Sequence, residues 1–469
     1  TSGKHIHFLQ YFLSGKQHTP QETFHIILIL VAGLIIFVKP WRMSLEESIF
    51  SPAEDTTLLS STLSSDSLML FPANQVINNN DSELDITLKF DRIIRKFMQK
   101  WEIKGASFAL MKDDRLIYSK GYGFADEEEN VPMDVMHVFR IASISKLITA
   151  VAIMKLQEEG KLTLQDRVFG PEGILNDTIF SDIKDPRTTK ITVENLLRHQ
   201  GGFSIAYGDP MFCPVEIARK MQVPPPADLN TMIRFVLSRR LGFTPGSGAR
   251  YSNIGYGILS KVIEKVSGED YELYVKRHIL RPAGCFDMHL GKNLYDDKLP
   301  NEVKYYEVSN AEQIQACDGS GKLVARSNGG NNIEELYGAG GWVASPAELL
   351  RFLAVIDKDP GIPDLLSDAS IDYMTQEVPS AYPIGWIETT SRGEWFRSGT
   401  LAGTSALMKK QKDGYSWVFL TNTSSWKGSR FPHYIDNAVR QAMASVHSWP
   451  ERDLFEMQRF DHEKLLVIR

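Results

Sequence analysis

From Leu84 the apolar residues fall at helical intervals. Leu84, Leu88, Phe90, Ile93, Ile94, Phe97 and Met98 trace one face and predict an amphipathic helix. The period then drops to two over Ala106-Ser107-Phe108-Ala109-Leu110-Met111 and Leu116-Ile117-Tyr118. Asp113-Asp114 lies between these runs, which predicts a hairpin leading into Gly121-Tyr122-Gly123. A third pattern follows Phe139-Arg140-Ile141-Ala142. Leu147, Ile148, Ala150, Val151, Ile153, Met154 and Leu156 leave hardly any polar face before Gly160, as expected of a buried helix. From about residue 155 to 340 the pattern is mainly helical, broken by loops such as Pro224-Pro225-Pro226 and Asn328-Gly329-Gly330.

Strands return late in the chain. Trp395 to Gly399, Ser405 to Met408 and Trp417 to Thr421 surround the hairpin signal Asp413-Gly414. Ile435, Ala438, Val439 and Ala442 then mark a last helix from Tyr434 to about Ser445. Strands at both ends with helices between them predict an α/β (α+β) domain whose antiparallel sheet is completed by both of its ends. No internal repeat is present.

The region before Leu84 reads differently. Phe24 to Val38 is a strongly apolar run closed by Lys39, Pro40, Trp41 and Arg42. It is shorter than the roughly 18 to 20 residues of a free-standing membrane span and has the length of a signal-peptide core. No Ala-Xaa-Ala-like cleavage site follows, and Trp41 with its basic neighbours suits an interfacial anchor. We therefore expect an export signal or signal anchor at about 24–41, placing the protein in the periplasm or on the outer side of a membrane. A polar linker follows, so 1–82 is expected to be signal and linker, 83–446 the folded domain with its helical insert, and 447–469 a tail.

Composition adds mainly exclusions. The 469 residues carry a formal net charge of −6, which argues against a nucleic-acid partner. Cys213, Cys285 and Cys317 are odd in number and far apart, neither a metal-ligand set nor a full disulfide framework. They are expected to be buried small residues.

The chemistry centres on Ser143-Ile144-Ser145-Lys146. Residues three apart on a helix share a face, so Lys146 can reach the Ser143 hydroxyl, as a base reaches a nucleophile. Serine is also a common helix N-cap, and chance supplies about one or two Ser-Xaa-Xaa-Lys matches in a chain of this length. The lysine is the stronger signal, because in a buried helix it needs a partner or a lowered pKa. A second block, Tyr251-Ser252-Asn253, joins the turn Gly242-Phe243-Thr244-Pro245-Gly246 to an apolar helix. A tyrosine beside a lysine can serve as a general base, and an asparagine can hold a substrate amide. The plainer alternative makes Tyr251 a core aromatic and Asn253 an N-cap.

With Leu196-Leu197-Arg198-His199-Gln200-Gly201-Gly202 and Gly338-Ala339-Gly340-Gly341-Trp342-Val343-Ala344-Ser345, these blocks resemble the serine β-lactamase and penicillin-binding-protein superfamily. The likeness runs from about residue 84 to 446 and is nearest to class C β-lactamases and their esterase and D-aminopeptidase relatives. It implies that Ser143 is acylated, that Lys146 and Tyr251 move protons, and that Asn253 orients the substrate. The family's Lys-Thr-Gly or His-Xaa-Gly strand element aligns with Arg397-Ser398-Gly399, and the backbone N–H groups of Ser143 and Thr400 would form the oxyanion hole. Arg397 keeps the positive charge and could hold an anionic group, but it cannot shuttle a proton.

His199 is expected to be a hydrogen-bonded core residue. Gly340-Gly341 and Ile384-Gly385-Trp386 are expected to allow close packing beside the cleft. The implied function is an acyl-enzyme hydrolase of an amide, β-lactam or ester, acting on a small-molecule or peptide substrate without metal or organic cofactor. The alternative is a catalytically weak, membrane-anchored scaffold with the same fold.

Overall fold

The computed structural model describes residues 77–456 apart from 207, so the apolar run at 24–38, the expected signal and linker up to residue 76 and the tail from residue 457 lie outside the described residues. By internal contacts the chain divides after Leu68, and everything described belongs to the second unit. The main sheet is built from β1 (Gly105–Lys112), β2 (Arg115–Asp126), β3 (Val131–Pro132) and four strands from the far end of the domain. A smaller three-stranded sheet takes β4 (Phe139–Arg140), β5 (His289–Leu290) and β8 (Trp342–Ala344). Ile314–Gln315 (β6) and Leu323–Val324 (β7) form a short hairpin. The four late strands are β9 (Glu388–Thr389), β10 (Trp395–Leu401), β11 (Thr404–Lys410) and β12 (Tyr415–Thr421).

The seven-stranded order is β3-β2-β1-β12-β11-β10-β9. β1 pairs antiparallel with β12, Phe108 facing Phe419, so the first hairpin and the last strands close one sheet as expected. The Asp113-Asp114 turn is present, with both residues at positive φ (48° and 61°), the conformation a two-residue hairpin favours.

The helices are α1 (Leu88–Lys100), α2 (Ser145–Glu158), α3 (Val193–Leu197), α4 (Pro214–Met221), α5 (Leu229–Leu237), α6 (Asn253–Ser267), α7 (Tyr271–Val275), α8 (Pro346–Ala354), α9 (Asp368–Thr375) and α10 (Phe431–Met443). On one face of the sheet, Phe90, Ile94 and Phe97 of α1 and Phe431, Ile435 and Val439 of α10 pack on Phe108, Trp417 and Phe419. On the other, α8 lies against β1 and β12, and α2 is buried at every position from Ser145 to Met154. Apart from α6, the helices of the insert are short pieces separated by loops that carry Pro and Gly.

Packing extends past the expected 83–446. The Ile77 side chain is in the core, Asn79 Oδ1 accepts from Gly121 N–H at 2.7 Å, and Arg452 Nε donates to Ile117 O at 2.9 Å. Cys285 and Cys317 are buried and Cys213 is half-buried. No helix among the described residues is long and apolar enough to cross a membrane.

Because α2 is enclosed on all sides, its apolar side chains carry much of the core. Ile148→Ala is expected to lower unfolding free energy by about 2–5 kcal/mol, whereas Leu88→Ala on the exposed face of α1 should change it by less than about 0.5 kcal/mol. Denaturant midpoints at constant m-value check both.

Candidate active site

The Ser143 turn is shaped by the backbone before it. Ala142 adopts a left-handed conformation (φ +49°), uncommon for a residue with a Cβ. Ala142–Ile144 then make one 3-10 turn that runs straight into α2. The Ser143 hydroxyl caps nothing: the start of α2 has no side-chain cap. The N-cap reading of this serine is therefore set aside. Its Oγ instead lies 3.2 Å from Lys146 Nζ.

Lys146 is fully buried, and its ammonium is held from three sides. Besides Ser143 it donates to Asn253 Oδ1 at 2.7 Å and to Ala339 O at 2.5 Å. Burial lowers its pKa, the nearby Tyr251 phenol opposes that shift, and the Arg397 charge reinforces it. The Ala339 carbonyl comes from the 338–341 turn, which can lie against α2 only because Gly338 has no side chain. A Cβ there would meet Thr149 Oγ1 at 2.2 Å and Ser260 Oγ at 2.7 Å.

Tyr251 and Asn253 arrive at the start of α6. The N-cap is Ser252, whose hydroxyl accepts from Gly255 N–H at 3.2 Å. Asn253 is thus free of the capping role, and its amide spans Lys146 and Asp209. It donates through Nδ2 to Asp209 Oδ2 at 2.6 Å. Tyr251 is not a plain core aromatic either. Its hydroxyl accepts from Arg397 Nη2 at 3.2 Å, and its ring lies 4.9 Å from Lys146 Nζ. Burial pushes the phenol up, but the Lys146 and Arg397 charges and hydrogen bonds with Ser143 and Lys146 bring it down to about 8.

Arg397 occupies a place different from a substrate-facing one. Along β10 the side chains alternate, and Arg397 points inward, with no exposed surface. Nε and Nη2 donate to the Ser143 carbonyl at 2.8 and 2.5 Å. Nε and Nη2 thus hold the Ser143 turn and the tyrosine, Nη1 is buried without a hydrogen-bond partner among the described residues, and the side chain does not line the cleft. Arg397 shares its side of β10 with Gly399, which faces the Ser143 turn, and its guanidinium is buried beneath that turn.

Gly399 lets β10 pass hard against the Ser143 turn. A Cβ at Gly399 would meet Ile141 O at 2.2 Å and Ser143 N at 2.9 Å. Across the strand, Ser405 pairs with Thr400 but sends its N–H away, to Thr421 Oγ1 at 3.2 Å. The same parity turns the Thr400 N–H away from β11, toward the open side of β10 where Ser143 lies. β9 covers that side only at Trp395 and Phe396.

These pieces border a cleft of about 440 Å³, lined by Ser143, Tyr251, Asn253, Ser398, Gly399 and Thr400 together with Phe212, Leu336, Ile387, Phe396 and Leu401. Among the described residues Glu388 is its one carboxylate, and none that line it is lysine or arginine.

Two supporting residues were not among the expected site residues. Asp209 fixes the Asn253 amide and also caps the turn after it, accepting from Met211 N–H at 3.0 Å. In the sequence, Asp209-Pro210 carries only a capping signal. His199, expected to be structural, is buried with its ring 4.4 Å from the Tyr251 ring, and its Nδ1 accepts from Ser252 N–H at 3.1 Å. Burial and the Lys146 and Arg397 charges hold it well below the usual imidazole range, so it is neutral.

Comparison with known proteins agrees with this architecture. Protein flp of Staphylococcus aureus strain N315 is 26% identical over 354 residues, 74% of this chain and 64% of its own, so the chain spans about two thirds of that relative. The octameric penicillin-binding protein homologue from Pyrococcus abyssi superposes with a TM-score of 0.58 at 26% identity, covering 81% of this chain and 82% of its own. The D-amino acid amidase of Ochrobactrum anthropi shares the fold at 18% identity, TM-score 0.59, covering 77% of this chain and 99% of its own. The Beta-lactamase family model matches residues 90–440, and the chain belongs to that family.

Proposed function

We propose that the protein is a serine hydrolase working through an acyl-enzyme on Ser143. The observation that carries this reading is the convergence of Ser143, Lys146, Tyr251 and Asn253 within hydrogen-bond reach of one another at the floor of one cleft. Ser143 Oγ attacks the carbonyl carbon as its proton passes to the Lys146 and Tyr251 pair. The tetrahedral oxyanion accepts from the Ser143 and Thr400 N–H groups, each such donor being worth about 2.7–4 kcal/mol. Collapse breaks the bond to the leaving group, which takes a proton from Tyr251. Water, deprotonated by Tyr251, then releases the acyl group and restores the Ser143 hydroxyl.

For substrate class, the charge of the cleft favours amides and esters without a carboxylate next to the scissile bond. Arg397 is buried under the Ser143 turn rather than lining the cleft, and among the described residues the charged side chain that lines it is Glu388. The likeness to a D-amino acid amidase and to penicillin-binding-protein homologues supports a small amide or ester substrate. On a panel of p-nitrophenyl acetate, a D-amino acid amide, a D-Ala-D-Ala peptide and nitrocefin, the first two are expected to turn over fastest. A preference for the two carboxylate-bearing compounds would reverse this assignment.

A labelled fluorophosphonate followed by peptide mapping tests the nucleophile. The adduct should fall on Ser143, and Ser143→Ala should lose roughly 10⁴-fold or more in turnover. Absence of any adduct or turnover with the correctly folded protein would favour the scaffold alternative. Gly399→Ala should push β10 off the Ser143 turn and lower kcat about a hundredfold, with a loss of stability of about 1–3 kcal/mol because the clash is with backbone.

The pH profile follows from Tyr251. Raising the pH through about 8 removes the phenol proton and creates the base, so kcat/KM should climb to a plateau above that value. Arg397→Gln removes one of the two cations that favour the phenolate, so the limb should move to higher pH. Arg397→Lys should move it less. An unshifted limb in Arg397→Gln would mean that Tyr251 is not the group titrating.

A further inference from the structure

On the opposite side of α10 from the cleft lies a groove of different character. It is about 510 Å³ in volume and runs between α1 and α10. Lys89, Arg92, Lys96 and Lys100 line it, spaced three, four and four residues apart on one face of α1, and no carboxylate does. All four are exposed, and among the described residues none of them makes an ion pair. Asp91 of the same helix is buried and taken by Lys120, and Asp436 of α10 by Lys409 and Arg440. Asp85 and Glu102 lie only at the two ends of α1. In a chain of formal net charge −6 this is a local inversion of sign.

Large apolar side chains bracket the stripe. Leu88 at the start of α1 is 58% exposed and Trp426 is 70% exposed. Trp426 sits 6.0 Å from the Trp101 ring, which lines the groove, and Lys427 Nζ lies 3.7 Å from the Trp426 ring centre. A basic row flanked by exposed tryptophan and leucine suits peripheral docking, with cations for phosphate headgroups and two apolar tips for the acyl boundary, while the apolar face of α1 stays on the sheet. A stripe meant only for solubility would not need the exposed indole.

We infer that the face formed by α1 and the Trp426 loop docks on an anionic phospholipid membrane. The consequence for the site is positional. His433 lines the catalytic cleft and its neighbour Tyr434 lines the groove, so the first turn of α10 separates the two. Docking would hold the mouth of the cleft close beside the bilayer surface, where it meets membrane-associated substrates first. This inference does not depend on the hydrolase reading, because the docking face shares no catalytic side chain.

The test uses the full chain, with vesicles of neutral phosphatidylcholine compared with vesicles containing phosphatidylglycerol. Sedimentation should show binding to the anionic vesicles about tenfold or more stronger than to neutral ones, falling as salt rises. The quadruple variant Lys89→Glu, Arg92→Glu, Lys96→Glu, Lys100→Glu should lose that increment while keeping its melting temperature and its turnover of a soluble ester. Trp426→Ala should lose part of it. Equal binding to both vesicle types, an increment that survives charge reversal, or capture by a soluble polyphosphate with no vesicle preference would each overturn the proposal.

Discussion

A buried ammonium sets the terms for the rest of the molecule. Lys146 has no exposed surface and sits in a helix buried at every position from Ser145 to Met154. An unpaired charge in such a place is costly enough that the group would neutralise or the helix would shift. Its partners come from separate parts of the chain: the Ser143 hydroxyl on the preceding turn, the Asn253 amide at the start of α6, and the Ala339 carbonyl. Satisfying one lysine therefore locks α2, α6 and the 338–341 turn into a single arrangement. Gly338 is the steric condition for it, since a side chain there would strike both helices.

The second constraint is the approach of β10 to the nucleophile turn. Ala142 is held left-handed, Gly399 lets the strand come within contact of Ile141 and Ser143, and Arg397 ties the Ser143 carbonyl from behind. These interactions fix the position of the turn, so the proposed reaction would need little reorganisation there. The same guanidinium and the Lys146 ammonium flank the Tyr251 phenol and favour its anion. Positive charge in this site is thus used inward, on the machinery, leaving a cleft whose lining carboxylate is Glu388.

Charge on the outer surface is arranged in the opposite sense. The acidic chain concentrates unpaired cations on one face of α1, next to exposed Leu88 and Trp426. α10 separates this face from the cleft, and its buried residues Phe431, Ile435 and Val439 hold the two at a fixed distance through the same sheet.

Much of this was legible in the chain because it rests on local pattern. The hairpin at Asp113-Asp114, the enclosed helix after Ser143, the late strands and the last helix all follow from periods of two or 3.6 and from turn chemistry. The block Ser143-Ile144-Ser145-Lys146 likewise needs only neighbouring residues to bring hydroxyl and amine together. What required the tertiary structure was every role that depends on which way a side chain turns at a long-range contact. Arg397 reads as a cleft cation until its hydrogen bonds to the Ser143 carbonyl and the Tyr251 hydroxyl place it beneath the cleft floor. Asn253 reads as a cap until Ser252 takes that place, and Asp209 carries no catalytic signal at all until a loop 44 residues away from Asn253 brings it to 2.6 Å. Local sequence determines which elements form and where a nucleophile can stand. The partners that tune it are set by the packing of elements far apart in the chain, since hydrogen bonds and charges act over a few ångströms of space whatever the separation in sequence.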